Sequence, residues 1–475
     1  MSTARFELTR GLGLIGGISV NVANIIGTGV FLKSRVMTCN VGDPLWVLAV
    51  WLIGGLLALA GALCYAEICA MMPASGGDYV FMRRAYGKLT SFLFGWTSFT
   101  IMKTGSQAAL AVGFAIFMNV ALGGQLDALH YSASLGGWRL HVSAVSILAL
   151  AALWLVALMN CASVTTGGKT AAALTVAKLA MVLLVAGCAF AFGHGDWSHL
   201  RASGAAGNCD AVADSARGGI AGVGAAMLGA LWAYDGWNNV APLSGEVRDP
   251  QRNLPRVFLG GMLIIMALYL VANLSYFYVL TPLQVASIAP TSSLATEVMK
   301  TFMGPGAVSF VALALMISSL GSLHASVLAN SRVPFAMARD GLFFRSLRSV
   351  SPRTRVPVRA VMAQAAWASV LTLSGSYDTL TDAVIFASWL FYGLTAGSLF
   401  IFRRQLPDLL RPYRAWGYPL IPALFILLTL ALLATTFIAA PRQALGGMLL
   451  IIAGLPFYFY WSRIQAANQE PPNQL

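Results

Sequence analysis

The sequence predicts an all-α polytopic membrane protein with twelve spanning helices. Three observations predict it. The 475 residues are 58% hydrophobic and only 10% charged, with a mean hydropathy of +0.74, whereas a soluble globular chain carries about 25% charged residues. The chain resolves into twelve apolar segments, each near the roughly 20 residues that a helix needs to cross a bilayer. Two of those segments, the first and the sixth, are interrupted by residues that a continuous helix in hydrocarbon disfavours.

The first segment, 11–37, contains GLGLIGGISVNVANIIGTGVFLKS and breaks at Gly27-Thr28-Gly29. Segments 45–72, 90–122, 141–160 and 170–193 come next, without such a break. The sixth, 218–244, carries LWAYDGWNNV at 231–240. Asp235 is costly in hydrocarbon and Gly236 is a weak helix former, so this helix too is expected to break. Segments 256–281, 307–331, 357–375, 380–402, 418–438 and 443–462 complete the set. The loops are short. The longest outer ones, 123–140 and 194–217, carry no obvious domain, and 464–475 reads as a polar, disordered tail. The opening MSTARFELTR is polar, and no cleavable leader is expected.

The formal net charge of +13 does not imply nucleic acid here, because excess Lys and Arg mark cytoplasmic loops in membrane proteins. With the N-terminus inside, the inner loops collect 21 of the 30 Lys and Arg residues and the outer loops seven. Both termini are therefore expected in the cytoplasm of a multi-pass inner-membrane protein. Only Lys103 and Lys178 remain inside helices. The six cysteines contain no CxxC pair, so no metal, redox or other cofactor is expected. Cys39 and Cys209 fall in two loops on the same outer face, where a disulfide is possible.

The first and sixth segments enter the membrane from opposite sides, because five helices separate them. Interrupted spans at matching positions of two five-helix halves point to an inverted-repeat secondary transporter. We divide a single transporter domain, 1–475, into a first repeat of about 11–193 and a second of about 218–402, with 418–462 outside the repeat.

An interrupted helix leaves backbone N–H and C=O groups unpaired at mid-membrane, which is tolerated only around a buried or polar cavity. Such groups suit a zwitterion. N–H groups and the positive dipole end at Gly27, Thr28 and Gly29 favour a carboxylate, with the Thr28 hydroxyl as a further donor. Carbonyls of Trp232, Ala233 and Tyr234 favour an ammonium, with Trp232 as an apolar lid. Asp235 reads either as the N-cap of a second half-helix beginning at Gly236 or as a cation contact. Trp237 and Asn238 read as packing residues. Lys178 is about nine residues, roughly 13 Å, past Lys169, and a lysine that deep is a functional candidate. Its ammonium could bridge carbonyls of the first helix to Ser318 or Ser322 of the eighth.

Four stretches resemble the amino acid–polyamine–organocation transporters, and most of all their L-type family, the light chains of the heteromeric transporters. They are NIIGTGVF at 24–31, CYAEICAMMPASGGDYVFMRRAYG at 64–87, LWAYDGWNNV with SGEVRDPQRNLPR at 231–256, and SRVPFAMARDGLF at 331–343. The resemblance implies a LeuT-like 5+5 inverted-repeat fold and alternating-access transport. It implies that Ile26, Gly27, Thr28 and Gly29 bind the substrate carboxylate, that Trp232 is the aromatic gate, and that Lys178 stands where sodium-coupled relatives hold sodium. Ser388 falls where relatives often place an Asn near the substrate. Lys103-Thr104 stands where relatives usually carry Arg-Pro, so the charge is shared but the shape is not. Eukaryotic light chains join a heavy chain through a cysteine in the loop after the third helix. Residues 123–140 contain none, so no covalent partner is expected; whether the chain acts as a monomer or a homo-oligomer stays open.

The expectation is a secondary transporter, not an enzyme: a sodium-independent exchanger of neutral L-amino acids. A cationic amino acid or polyamine exchanger and a proton-coupled symporter remain as alternatives. A sodium symporter would need the site that Lys178 fills. A channel lacks a selectivity motif. An intramembrane enzyme would rest on His324 between Ser322 and Ser326, which reads as a packed histidine, and Glu67 reads as a loop contact.

Overall fold

A computed structural model describes residues 8–467 apart from 129, 136, 137, 205–208, 210, 211, 289–291, 375, 376 and 440. Seven helices are each long and apolar enough to cross a membrane, and the pair Leu14–Ile25 and Gly29–Val41, bent by 40°, makes an eighth span. Three shorter apolar helices, Ala144–Asn160, Gly219–Ala233 and Val358–Ser374, and the helix Tyr377–Gln405 stand at the remaining expected positions. Apart from turns and connecting loops, the regular structure of the described residues is helical except for one antiparallel hairpin, His130–Leu135 with Trp138–Ser143, whose two strands flank Gly136-Gly137 in a loop where no domain is expected.

Caps fix several boundaries that hydropathy places only loosely. The Asp43 side chain accepts from the backbone N–H groups of Leu45 and Trp46, and Pro44 opens the second span, Pro44–Met71; a missing N–H costs nothing at that position. Ser163 accepts from the Thr166 N–H and starts the fifth span at Val164, well before the 170 expected from apolar content. Lys178 therefore lies 14 residues from each end of Val164–Phe192, at the midpoint of the span. The third span, Lys88–Ala121, has a π turn at Ser98–Met102.

Of the seven long apolar helices described, the third span is the most buried and Leu420–Phe437 and Ala444–Gln465 are the least. The third span thus lies at the centre and the last two at the lipid-facing periphery. The polar tail departs from expectation at its start. Residues 464–467 continue the helix Gly454–Ala467, and Gln465 donates to the Asp340 carbonyl at 2.8 Å; the rest of the expected tail, 468–475, lies outside the described residues.

Buried polar pairs tie the spans together. Arg332 meets Glu246 in a two-pronged ion pair at 2.7 and 2.8 Å, with both side chains fully buried. Glu67 accepts from Arg403 at 2.9 and 2.6 Å and from the Ala415 N–H at 2.5 Å, so it is a structural loop contact. His324 packs between Asn160 and the Gly167 carbonyl. Cys39 and Cys209 form a disulfide, which joins the end of the first span to the segment leading into the sixth.

Candidate functional site

Both interrupted spans break where expected. The first helix ends at Ile25 and resumes at Gly29. The sixth ends at Ala233 and passes through turns to a 3-10 segment, Ala241–Glu246. That second half corrects one reading of Asp235. No α-helix begins at Gly236, so Asp235 caps none there. Instead its carboxylate accepts from the Tyr392 hydroxyl at 2.7 Å. Gly236 takes the turn with φ +99°, a conformation open to glycine, and an added Cβ would lie 2.6 Å from the Asn24 carbonyl oxygen.

The two breaks face one cavity of about 70 Å3. Gly27, Thr28 and Gly29 line it from the first span, and Trp232, Ala233, Asp235 and Asn239 from the sixth. Ser322 and Ser326 face it from the eighth span, and Ser106 and Ala109 from the third. The structure thus brings together Gly27, Thr28, Gly29, Trp232, Ala233, Asp235 and Ser322 of the expected set.

The other expected residues lie elsewhere. Tyr234 is fully buried and points away from the cavity, against Trp51 and Tyr269. Ser388 is buried outside the cavity wall; Tyr392, one turn further on, reaches the site in its place through Asp235. Ile26 turns its carbonyl to Lys178 rather than to the cavity. The periodicity of these helices could not show it, because each break rotates the residues beyond it.

On one side of the cavity the half-helices Gly29–Val41 and Gly219–Ala233 touch. A Cβ added at Gly29 would lie 2.6 Å from the Ala233 Cβ. The Lys33 ammonium sits 4.6 Å from the centroid of the Trp232 ring, within cation–π range. Tyr269, which the sequence did not single out, donates within reach of both breaks, 3.1 Å from the Ile25 carbonyl and 3.0 Å from the Ala233 carbonyl. It draws the C-terminal ends of the two first half-helices together.

Lys178 is 1% exposed. Its ammonium donates to the carbonyls of Ala23 and Ile26 at 3.0 and 2.8 Å and to Ser322 Oγ at 2.7 Å. An ammonium has three protons, and all three are satisfied. The two carbonyls belong to the C-terminal end of a helix, where the dipole favours a cation. Ser322 Oγ also lies 2.9 Å from each of the same two carbonyl oxygens, and Ser318 donates within reach of the Ile26 and Gly27 carbonyls at 3.1 and 3.2 Å. A shell of neutral oxygens is what a small cation would require; here a covalently attached ammonium fills it.

Comparison with known proteins agrees with this architecture. The amino acid permease family model matches residues 12–459. The chain is 31% identical over 463 residues to the b(0,+)-type amino acid transporter 1 of Mus musculus, covering 95% of this chain and 88% of that protein. It is 30% identical over 473 residues to the serine/threonine exchanger SteT of Bacillus subtilis, covering 98% of this chain and all of that protein. The Asc-type amino acid transporter 1 of Mus musculus is 27% identical over 466 residues, covering 96% of this chain and 82% of that protein.

Proposed function

The chain belongs to the amino acid permease family of multi-pass membrane transporters, and from that premise we propose that it exchanges neutral L-amino acids without sodium. It is a transporter and not an enzyme. The amino group and carboxylate of the substrate dock between the two breaks. Gly27, Thr28 and Gly29 offer N–H groups and a hydroxyl to the carboxylate. The carbonyls that end the sixth helix take the ammonium. Trp232 closes over the bound molecule, and the bundle containing the broken spans rocks against the remainder.

The observation that carries this reading is the complete coordination of the Lys178 ammonium by Ala23, Ile26 and Ser322. A fixed positive charge in that oxygen shell repels sodium. It also holds the end of the first half-helix to the eighth span without a dissociable ion. The relatives named as exchangers and amino acid transporters support the substrate class.

We place the protein in the cytoplasmic membrane with both termini inside. The distribution of Lys and Arg supports this orientation. The disulfide Cys39–Cys209 supports it independently, since a disulfide persists on the oxidising side of a membrane. No covalent heavy-chain partner is required.

Counterflow in proteoliposomes tests the proposal. Vesicles loaded with unlabelled alanine or leucine should take up the labelled amino acid at the same rate with and without sodium, and empty vesicles should not. Uptake into empty vesicles that requires sodium or an inward proton gradient would replace exchange with symport.

A further inference from the structure

A second cleft, separate from the zwitterion site, opens at the N-terminal end of the seventh span, Pro250–Val279, which is its inner end in the orientation proposed above. Its volume is about 560 Å3, within the range of ligand-binding clefts. Arg252 and Arg256 line it at the start of the helix, and Leu259 and Gly260 line it further on. Pro412 and Tyr413 close it from the connection between the helices Tyr377–Gln405 and Leu420–Ala439. Among the described residues no carboxylate lines it.

Positions 252, 256, 259 and 263 share one face of the helix, because they recur at intervals of three and four. Arg252 and Arg256 are exposed, Leu259 is half-buried, and Leu263 is exposed. That face turns from cationic to apolar within about 10 Å at the helical rise per residue. Neither guanidinium has an ion pair, hydrogen bond or ring contact among the described residues. Acids of the adjoining elements are committed elsewhere: Glu246 to Arg332, and Glu67 to Arg403 and the Ala415 N–H. Asp249, which precedes the helix, is exposed and lies outside the lining.

The facing wall is held in place. Arg411 donates to the carbonyls of Phe402 and Leu406 at 3.0 and 2.6 Å, and the Ala415 N–H donates to Glu67 at 2.5 Å. Between these ties the chain presents Tyr413 to the cleft, and Leu410 and Trp416 on either side are 68% and 76% exposed. Exposed aromatic residues beside arginines mark the headgroup layer of a bilayer.

Two unpaired guanidiniums call for an anion with several acceptor oxygens, which a phosphate supplies. The apolar strip next to them calls for hydrocarbon. A phospholipid with net negative charge has both, in that order, and basic pockets at the cytoplasmic ends of spanning helices suit such head groups. Gly260 leaves room for the chain: a Cβ added there would meet only the Ile18 Cδ1, at an ordinary contact distance of 3.7 Å. A free phosphate would leave Leu259 and Leu263 uncovered.

We propose that this cleft is a binding site for an anionic phospholipid of the inner leaflet. Arg252 and Arg256 hold its phosphate, and one acyl chain lies along Leu259, Gly260 and Leu263 against Pro412 and Tyr413. The inference does not depend on which substrate crosses the membrane or on how transport is driven.

Native mass spectrometry of the delipidated full chain tests it, with phosphatidylglycerol, phosphatidylcholine and inorganic phosphate as probes. Wild type should retain a first phosphatidylglycerol at least tenfold better than phosphatidylcholine, and inorganic phosphate should not displace it. R252Q/R256Q should lose that preference; both arginines are exposed, so the protein should stay monodisperse. R345Q/R348Q removes the same charge from another exposed stretch, Arg345–Arg348, and should behave as wild type. G260F keeps both arginines but fills the apolar part of the cleft, and should lower phosphatidylglycerol retention at least tenfold. If G260F does not yield monodisperse protein, the arginine pair decides. Equal retention of the two lipids by wild type would overturn the proposal, as would an unchanged preference in R252Q/R256Q or in folded G260F. An equal loss in R345Q/R348Q would reduce the effect to general surface charge and overturn the site. Displacement of the lipid by inorganic phosphate would assign the arginines to a free anion and overturn the lipid as occupant.

Discussion

At the scale of single residues, the decisive feature is a lysine at the midpoint of a spanning helix with its three protons all placed on oxygen. Removing it takes a charged donor from the Ala23 and Ile26 carbonyls and leaves the hydroxyls of Ser322 and Ser318 alone to serve them. A buried hydrogen bond from a charged donor contributes about 1.5–3 kcal/mol. Lys178→Ala is therefore expected to lower exchange at least tenfold, measured as initial counterflow rate per folded transporter. Rates equal to wild type would remove Lys178 from the mechanism. The neighbouring Gly321 gives the same answer from the other side. A Cβ there would lie 2.7 Å from the Lys178 Cε, so Gly321→Ala should displace the ammonium and reproduce part of that loss without touching its charge.

At the scale of the element, the two breaks differ in what their glycines do. Gly27 faces open space, with no atom within 4 Å of an added Cβ, whereas a Cβ at Gly29 would meet Ala233. Gly27→Ala should fold with wild-type thermal stability yet bind substrate at least tenfold more weakly, because the methyl takes room in a cavity of about 70 Å3. Gly29→Val should instead separate the half-helices Gly29–Val41 and Gly219–Ala233 and lower the melting temperature of the detergent-solubilised protein. A stability loss for Gly27→Ala equal to that of Gly29→Val would show that both glycines serve packing alone. The breaks themselves were legible, because Gly-Thr-Gly and Asp-Gly are poor helix formers inside apolar runs. The conformation beyond the second break was not legible. An Asp before a glycine is a common N-cap, and only the hydroxyl of Tyr392 explains why this one is held in a turn.

At the scale of the whole molecule, covalent and ionic ties secure the broken spans at both ends. The disulfide Cys39–Cys209 closes a separation of 170 residues, and a native disulfide is worth about 2–4 kcal/mol. Cys39→Ser, or reductant added to wild type, should lower the melting temperature while leaving counterflow measurable below the transition. At the other end, the buried pair Glu246–Arg332 ties the segment after the sixth helix to the eighth span. Arg332→Ala strands a buried carboxylate, at a cost of about 3–5 kcal/mol. It should deplete the monodisperse protein recovered by size-exclusion chromatography, whereas substitutions of the lipid-facing Leu427, at 63% exposure, should not.

The sequence by itself determined the class of the molecule, its order of apolar helices and the positions of both breaks. These come from local composition: hydropathy reports which stretches tolerate lipid, and glycine or aspartate inside such a stretch reports where a helix cannot continue. It also marked Lys178 by depth alone. Partners across the fold were decided only by the tertiary structure. Tyr269 bridges the breaks, Tyr392 and not Ser388 reaches Asp235, and Lys103 stands behind Asn239, in each case through residues more than 30 positions apart in the chain. No local pattern encodes which side chain a re-aimed helix turn presents to a distant neighbour, and it is those distant pairings that set the charge inside the cavity.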